Sequence, residues 1–145
     1  MGARDLELEQ ANKDAIRRAF DDWVAGTGGP FGLLAEDATW TIPGNSPVSG
    51  TYRSRREFVD SVLDPLEARF ATPLVPEVRA LFAEEDWVIA LFDARCTAVD
   101  GQPYRNTYTW YLRLRDGAIV EVIAFLDTIE LTDLWNRVTP GGAER

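Results

Sequence analysis

Residues 87–127 decide the fold, and they read WVIALFDARCTAVDGQPYRNTYTWYLRLRDGAIVEVIAFLD. Three runs of strand-forming residues are joined by two Asp-Gly pairs, Asp100-Gly101 and Asp116-Gly117. An Asp-Gly pair between such runs predicts a hairpin turn, because both residues tolerate the positive φ that a tight turn needs. The stretch therefore predicts a meander of three antiparallel strands.

Polar side chains interrupt these strands at Asp93, Arg95, Asn106 and Tyr108. A two-residue turn at Asp100-Gly101 would pair Asp93 with Tyr108, and Arg95 with Asn106. Since alternate residues of a strand face the same way, this pairing predicts that all four lie on one face of the sheet.

The inner face of the second strand follows from the same alternation. Its other face carries mainly Arg and Thr, which suit water or a partner sheet, so we expect the aromatic face to be the interior. That inner face consists of Tyr104, Asn106, Tyr108, Trp110 and Leu112. A mostly apolar wall with a few polar groups is typical of a small-molecule pocket.

The register of the last strand has two possible solutions, because the turn at Asp116-Gly117 can have two residues or can be longer and contain a Gly bulge. The two choices turn opposite faces inward. The inward residues are Ile123, Phe125 and Asp127 in the first case, and Val122, Ala124 and Leu126 in the second.

Helices precede this meander. Apolar residues at three- and four-residue spacing predict a helix from about Leu6 to Val24, which the Gly- and Pro-rich residues 25–30 end. Ser54 and Glu57 form a capping-box pattern before a second helix, in which Pro65 predicts a kink or an early stop near Asp64. Strand patterns at 38–42 and 75–84 and a short helix at 128–137 complete an α+β protein.

Composition restricts the function. The 145 residues suit one domain (1–145), with a core of about 11–137 and a frayed tail at 138–145. A net charge of −9 argues against nucleic-acid binding, and the chain lacks His and metal-ligand spacing, so neither a metal nor a cofactor is expected. Neither a membrane-spanning run nor a signal peptide is apparent, and a cytoplasmic location is the default expectation.

The order of these elements resembles a known superfamily. A helix, LLAEDATW, PGNSPVSGTYRSRREF, a second helix and three strands ending in DGAIVEVIAFLDT are similar to nuclear transport factor two-like proteins. Within that superfamily the chain resembles the SnoaL-like (polyketide-cyclase-like) and ketosteroid-isomerase-related proteins. The resemblance implies a cone, in which a curved antiparallel sheet wraps around the N-terminal helices as in cystatin-like folds. It also implies a homodimer through the convex face, and it favours the bulged register of the last strand.

The catalytic groups of these enzymes are missing from the matching positions. Ile42 stands where ketosteroid isomerases carry their base, and Ala19 and Trp110 stand in place of their oxyanion-hole groups. Against epoxide hydrolases of this fold, Asp93 matches one aspartate, but Leu91 and Ala124 replace the arginine and the second aspartate. Polyketide cyclases also place their acid near Ala124. The resemblance therefore implies a scaffold without a known catalytic set.

From these observations we expect a pocket that binds a small hydrophobic ring compound carrying a carbonyl or carboxylate. If the protein is an enzyme, we expect isomerisation or cyclisation by acid–base chemistry without a cofactor, with Asp93 and Tyr108 as the catalytic residues. The ligand-binding residues would be Trp23, Trp40, Arg95, Tyr104, Asn106, Trp110 and Ala124.

Several alternatives stay open. Asp93, Arg95 and Tyr108 could instead form a self-satisfied structural network. Trp23 and Trp40 could belong to the core. The whole protein could be a non-catalytic binding or dimer-assembly module with a vestigial pocket. Asp127, followed by Thr-Ile-Glu, is expected to be a helix N-cap rather than a site residue.

Overall fold

The computed structural model describes residues 5–140. Helix α1 (Leu6–Ala25) leads through a 3-10 turn (Pro30–Leu33) to strands β1 (Leu34–Ile42) and β2 (Gly50–Tyr52). A second helical segment follows and contains α2 (Arg55–Phe58), a π-helical turn (Val59–Leu63) and α3 (Asp64–Glu67). The remaining elements are β3 (Val75–Glu84), β4 (Trp87–Thr97), β5 (Pro103–Arg115), β6 (Ala118–Leu126) and α4 (Thr128–Arg137).

The six strands form one sheet in the order β2-β1-β6-β5-β4-β3. Neighbouring strands are antiparallel except β1 and β6, which run parallel. The helices pack on the concave face of this curved sheet, so the predicted α+β cone is confirmed. Within residues 5–140, no helix is both long enough and apolar enough to cross a membrane.

Helix α1 supplies the inner layer of the core. The Asp5 carboxylate accepts a hydrogen bond from the Leu8 N–H and caps the start of the helix, and Gly26, with φ of +77°, ends it. Ile16 and Phe20 are 0% and 1% exposed. The ring of Phe20 meets Phe92 of β4 edge-on at 4.8 Å, so the helix packs directly on the sheet.

The second helical segment begins as predicted but does not stop early. The Ser54 hydroxyl accepts from the Glu57 N–H at 3.0 Å, and the Glu57 carboxylate accepts from the Arg53 N–H at 2.7 Å. In the π-helical turn, the Asp64 N–H donates to the Val59 carbonyl. This wider turn stands immediately before Pro65, whose ring nitrogen has no hydrogen to donate, and the helix continues to Glu67.

The first hairpin has a different turn from the one predicted. The Ala98 N–H donates to the Gln102 carbonyl and the Gly101 N–H donates to the Ala98 carbonyl, each at 2.9 Å. The loop therefore contains three residues, 99–101, and Gly101 occupies the left-handed region with φ of +86°. This geometry is a turn followed by a Gly bulge.

The longer loop shifts the register of β4 against β5 by one residue. The predicted pairing of Asp93 with Tyr108 and of Arg95 with Asn106 is wrong, and so is the prediction that all four share a face. A one-residue slip sends a side chain to the opposite face of the sheet. The observed pairs are Asp93 with Thr107, Arg95 with Arg105, Phe92 with Tyr108, and Ala94 with Asn106.

The second hairpin combines a two-residue turn with a bulge further along the strand. Asp116 and Gly117 both have positive φ, +52° and +82°, as a type I′ turn requires. Leu114 pairs with Ile119, and Arg113 then pairs with Glu121, so residue 120 is the extra one. The bulge is not at the glycine, but the favoured inward set of Val122, Ala124 and Leu126 is the one observed.

The segment that follows α4 is anchored at its first residue, Val138. Val138 is buried, and its carbonyl accepts from the Arg69 Nε at 3.1 Å. The Arg69 guanidinium also stacks on the Trp135 ring, 3.7 Å from its centre. Of the predicted frayed tail 138–145, residues 141–145 lie outside the described residues.

Candidate functional site

A cavity of about 500 Å³ lies between the concave face of the sheet and the helices. Most of its wall is aromatic or aliphatic, and the lining residues that are also exposed mark its opening near Gly26, Gly28, Glu67 and 71–73. The remaining lining residues are Trp23, Phe31, Trp40, Ile42, Val48, Phe58, Val62, Leu63, Leu66, Phe70, Leu74, Tyr108, Trp110, Ala124, Leu126 and Leu131.

Stacked rings hold the cavity wall in place. Trp40 stacks on Phe58 with ring centres 4.0 Å apart, and Trp23 stacks on Trp110 at 6.0 Å. Trp40 and Trp110 meet edge to face at 5.1 Å, which joins the two pairs. Such contacts favour defined ring orientations, so the wall presents flat aromatic faces to whatever enters the cavity.

The structure brings five of the candidate residues into this lining. Trp23 comes from α1, Trp40 from β1, Tyr108 and Trp110 from β5, and Ala124 from β6. Ala124 pairs with Trp110 across the strands. Tyr104 and Asn106 are also buried, but they lie behind Tyr108 rather than in the wall.

A chain of hydrogen bonds connects these three buried residues of β5. The Asn106 Nδ2 donates to the Tyr104 hydroxyl oxygen at 2.8 Å, and the Tyr104 and Tyr108 hydroxyl oxygens are 2.8 Å apart. Burial raises the pKa of Tyr104 to about 12, although its hydrogen bonds with Tyr108 and Asn106 oppose the shift. Burial, followed by repulsion from Tyr104, raises the pKa of Tyr108 well above its ordinary value. Both hydroxyl groups therefore keep their protons at neutral pH.

In the described part of the chain, one hydroxyl proton of the Tyr104–Tyr108 pair is not used in a hydrogen bond. Tyr104 and Tyr108 carry one hydroxyl proton each, and the single hydrogen bond between them uses one of the two. Within residues 5–140, neither hydroxyl donates to any further acceptor. Tyr108 is the member of the pair that lines the cavity, so the other proton is available at the cavity wall when Tyr104 is the donor between the two hydroxyls.

Asn106 is fully engaged in holding the sheet to α4. Its Oδ1 accepts from the N–H groups of Thr107 and Asp127, at 2.7 Å and 3.0 Å. Its Nδ2 donates to the Asp127 carbonyl at 3.1 Å as well as to Tyr104. The Asp127 carboxylate caps α4, as predicted, by accepting from the N–H groups of Ile129 and Glu130. The amide of Asn106 thus has no bond left for a ligand.

Trp40 is a lining residue whose polar atom is buried. Its Nε1–H is buried and has no acceptor within the part of the chain that the structure describes. A buried donor without a partner is uncommon, because it loses its hydrogen bond to water on folding. This N–H is shielded from the cavity as well as from bulk solvent, so a ligand in the cavity does not reach it.

Glu67 is a lining residue that the sequence analysis missed. It is the last residue of α3 and is exposed to solvent at the opening of the cavity. Desolvation raises the pKa of its carboxyl group, and the negative charge of Asp64 raises that pKa further. A regular helical period does not anticipate the π-helical turn between Val59 and Leu63, which changes the direction of the residues that follow. Its proximity to Leu63 and Leu66 on the apolar stripe was the only available signal.

Asp93 and Arg95 lie on the other side of the sheet. The Asp93 carboxylate accepts from the Thr107 hydroxyl at 2.6 Å and forms an ion pair with Arg79 at 3.5 Å. Arg95 pairs with Glu77 at 3.8 Å, with both side chains well exposed. Neither residue lines the apolar cavity; both border a separate charged depression on the outer face. The expected constellation of Asp93 with Tyr108 is therefore not assembled.

Solved structures with the same fold are numerous. An NTF2-like protein of unknown function from Burkholderia pseudomallei is 20% identical, with 85% of this chain and 95% of that chain covered and a TM-score of 0.69. A proposed SnoaL-like polyketide cyclase from Jannaschia is 14% identical, with 99% and 100% coverage and a TM-score of 0.69. TerC, co-crystallised with polyporic acid, is 17% identical, with 86% and 98% coverage and a TM-score of 0.68. At these identities the likeness shows the fold.

The family itself is shown by sequence. Among curated proteins, none matches this chain significantly. The profile of the SnoaL-like domain, however, matches residues 16–122, which is well over half of the chain and spans α1 to β6. The resemblance noted from the sequence is confirmed, and the chain belongs to the SnoaL-like domain family.

Proposed function

We propose that this protein binds a small hydrophobic ring compound in the cavity and that Tyr108 donates a hydrogen bond to an acceptor on that compound. The spare hydroxyl proton of the Tyr104–Tyr108 pair, at the wall of a mostly apolar cavity, carries the proposal. An apolar ring gains affinity by leaving water, and one well-placed polar contact then fixes its orientation.

Size and composition support this function. The volume of about 500 Å³ is within the range of pockets that hold small organic ligands. The stacked indoles and phenyl rings offer flat faces to a flat ligand. TerC, which has the same fold, was crystallised with polyporic acid, so a related scaffold holds a small molecule. A cavity of this size favours a ligand site over a vestigial pocket filled by its own aromatic residues.

Enlarging a side chain of the wall tests the proposal. Ala124→Leu adds three carbons inside the cavity, whereas Ala118→Leu makes the same change at the start of β6, away from the lining. With 1-acetonaphthone as the probe, isothermal titration calorimetry should detect binding to the wild type and to Ala118→Leu. Binding to Ala124→Leu should be at least about tenfold weaker. Equal affinities in the three proteins would contradict a ligand site in the cavity.

Catalysis is a second candidate function, which the hydrogen-bond chain favours. A protonated Tyr108, supported by Tyr104 and Asn106, is suited to stabilise negative charge on a carbonyl oxygen during a cofactor-independent isomerisation or cyclisation. Deuterium exchange into the acetyl methyl group of 1-acetonaphthone, followed by NMR in D₂O, reports whether the protein promotes enolisation. Exchange that Tyr108→Phe abolishes would support catalysis, and binding without exchange would leave binding as the function.

We also propose that two copies associate through the outer face of the sheet. Two apolar rows cross strands β3 to β6 there and form what we call the outer apolar patch. Phe82 and Phe125 are 57% and 47% exposed, which is unusual for two Phe side chains on one surface. The patch consists of Ala80, Phe82, Ile89, Leu91, Tyr111, Ile123 and Phe125.

A further inference from the structure

The lining of the cavity has an uneven distribution of charge. Among its residues in the described part of the chain, Glu67 is the only one with a charged side chain, and neither Lys nor Arg contributes. The lining side chains that have hydrogen atoms to donate are all uncharged, and they are Thr72, Tyr108 and the indoles of Trp23, Trp40 and Trp110. The cavity therefore has hydrogen-bond donors for an acceptor, but no cation to balance a negative charge.

The carboxylate of Glu67 is not neutralised by its surroundings. Within residues 5–140, no Arg or Lys forms an ion pair with it. Asp64, one turn earlier, places a second negative charge nearby. The absence of a cationic partner in this part of the chain and the second carboxylate give the opening of the cavity a negative potential.

A ligand anion entering this opening would lose hydration without gaining a cationic partner. Removing a carboxylate from water is costly unless a cation or several hydrogen-bond donors replace the solvent. Repulsion between like charges adds to that cost, and it is stronger beside an apolar wall than in bulk water. An uncharged carbonyl compound avoids both penalties and can still accept the proton of Tyr108.

We propose that the cavity selects uncharged ring compounds over anionic ones, and that Glu67 determines this selectivity. The inference rests on the proposed function of the cavity and decides between the two ligand types that the sequence left open, a carbonyl and a carboxylate. It makes Glu67 a specificity-determining residue at the opening of the site.

Two probes of similar shape test the charge preference. 1-Acetonaphthone is uncharged, and 1-naphthoate, at about pH 8, carries a carboxylate on the same ring position. Isothermal titration calorimetry should show the ketone binding at least about tenfold more tightly to the wild type. A carboxylate also loses more hydration than a ketone wherever it binds, so the decisive quantity is how the ratio of the two affinities changes on mutation.

Two Glu→Gln variants distinguish the effect of the charge at the opening of the cavity from the effect of the protein's overall negative charge on ligand binding. Glu67→Gln should shift the ratio of the two affinities toward naphthoate by about fivefold to tenfold. Glu84→Gln removes the same charge from an exposed position at the end of β3, outside the lining, and should leave the ratio as in the wild type. The ketone affinity of each variant also verifies that its cavity is intact.

The outcomes are distinguishable. Equal affinity of the wild type for the two probes would overturn the inference and leave the binding function standing. The inference would also be overturned if Glu67→Gln left the ratio of ketone affinity to naphthoate affinity unchanged. The same holds if Glu84→Gln lowered that ratio as much as Glu67→Gln does. If neither probe binds the wild type, the proposed function fails, and the inference fails with it.

Discussion

The hydroxyl oxygens of Tyr104 and Tyr108 lie 2.8 Å apart on the concave side of β5, and the amide of Asn106 donates to the first of them. Donation from Asn106 occupies one lone pair of Tyr104 and favours Tyr104 as the donor to Tyr108. In that arrangement the proton of Tyr108 is the one that remains for a ligand. The polar function of the cavity thus depends on residues that do not line it.

Removing the Tyr108 hydroxyl should weaken the binding of ligands that carry an acceptor. We expect Tyr108→Phe to lower the affinity for 1-acetonaphthone by about tenfold, which corresponds to one hydrogen bond of roughly 1.4 kcal/mol. The affinity for 1-ethylnaphthalene, which has no acceptor, should stay the same. Tyr111→Phe deletes a hydroxyl from the opposite face of the same strand and is the matched control. If Tyr108→Phe lowered the affinity for both probes equally, the hydroxyl would affect only the packing of the cavity wall and would not bond to the ligand.

The same tyrosines predict a loss of stability in alkali. An unfolded tyrosine titrates near pH 10, whereas burial raises the pKa of Tyr104 to about 12. Because the folded pKa is the higher one, the stabilising contribution is complete below about pH 10 and is lost as the pH rises through the folded value. Burial also raises the pKa of Cys96 to about 11. The stabilising contribution of Cys96 is therefore lost over the same pH range as that of Tyr104.

Urea unfolding between about pH 9 and 12 can isolate this effect. In a Cys96→Ala background, the free energy of unfolding should fall with increasing pH, and adding Tyr104→Phe should make that fall shallower. The contribution at stake is on the order of 2 kcal/mol. Parallel pH profiles for the two proteins would contradict it.

Local patterns predicted most of the fold. The two Asp-Gly pairs located both hairpins, and the Ser54–Glu57 capping box and the Asp127 cap are present as expected. The candidate site was harder to predict, because Asp-Gly suits both a two-residue type I′ turn and a turn with a Gly bulge. The first hairpin adopts the turn with a Gly bulge and the second adopts the type I′ turn. The extra residue in the first loop is what turns Asp93 to the outer face.

The two polar candidates Asn106 and Asp93 should differ sharply in stability. Asn106→Ala leaves the N–H groups of Thr107 and Asp127 without their acceptor, so we expect a loss of roughly 3 kcal/mol in the free energy of unfolding. Asp93→Asn affects only a solvent-exposed pair with Arg79 and a bond to Thr107, and should cost less than about 1 kcal/mol. Denaturant unfolding measures both changes.

Binding provides the second comparison for Asp93. Since its carboxylate lies across the sheet from the cavity, Asp93→Asn should leave the affinity for 1-acetonaphthone, and any deuterium exchange into it, as in the wild type. If the variant folds normally but loses binding or exchange, the prediction is wrong and Asp93 belongs to the functional site.

The outer apolar patch should control self-association. Phe125 is 47% exposed and meets Tyr111 edge-on at 6.0 Å, so covering it with a second copy would remove a large apolar surface from water. Burying a Phe side chain contributes about 2 kcal/mol, and a symmetric interface contains each residue twice. We therefore expect sedimentation velocity to detect a dimer for the wild type and a monomer for Phe125→Lys. Ile129→Lys places the same charge at a more exposed residue of α4, outside the patch, and should remain dimeric. A wild-type monomer at every accessible concentration, or dissociation by both substitutions alike, would contradict association through this face.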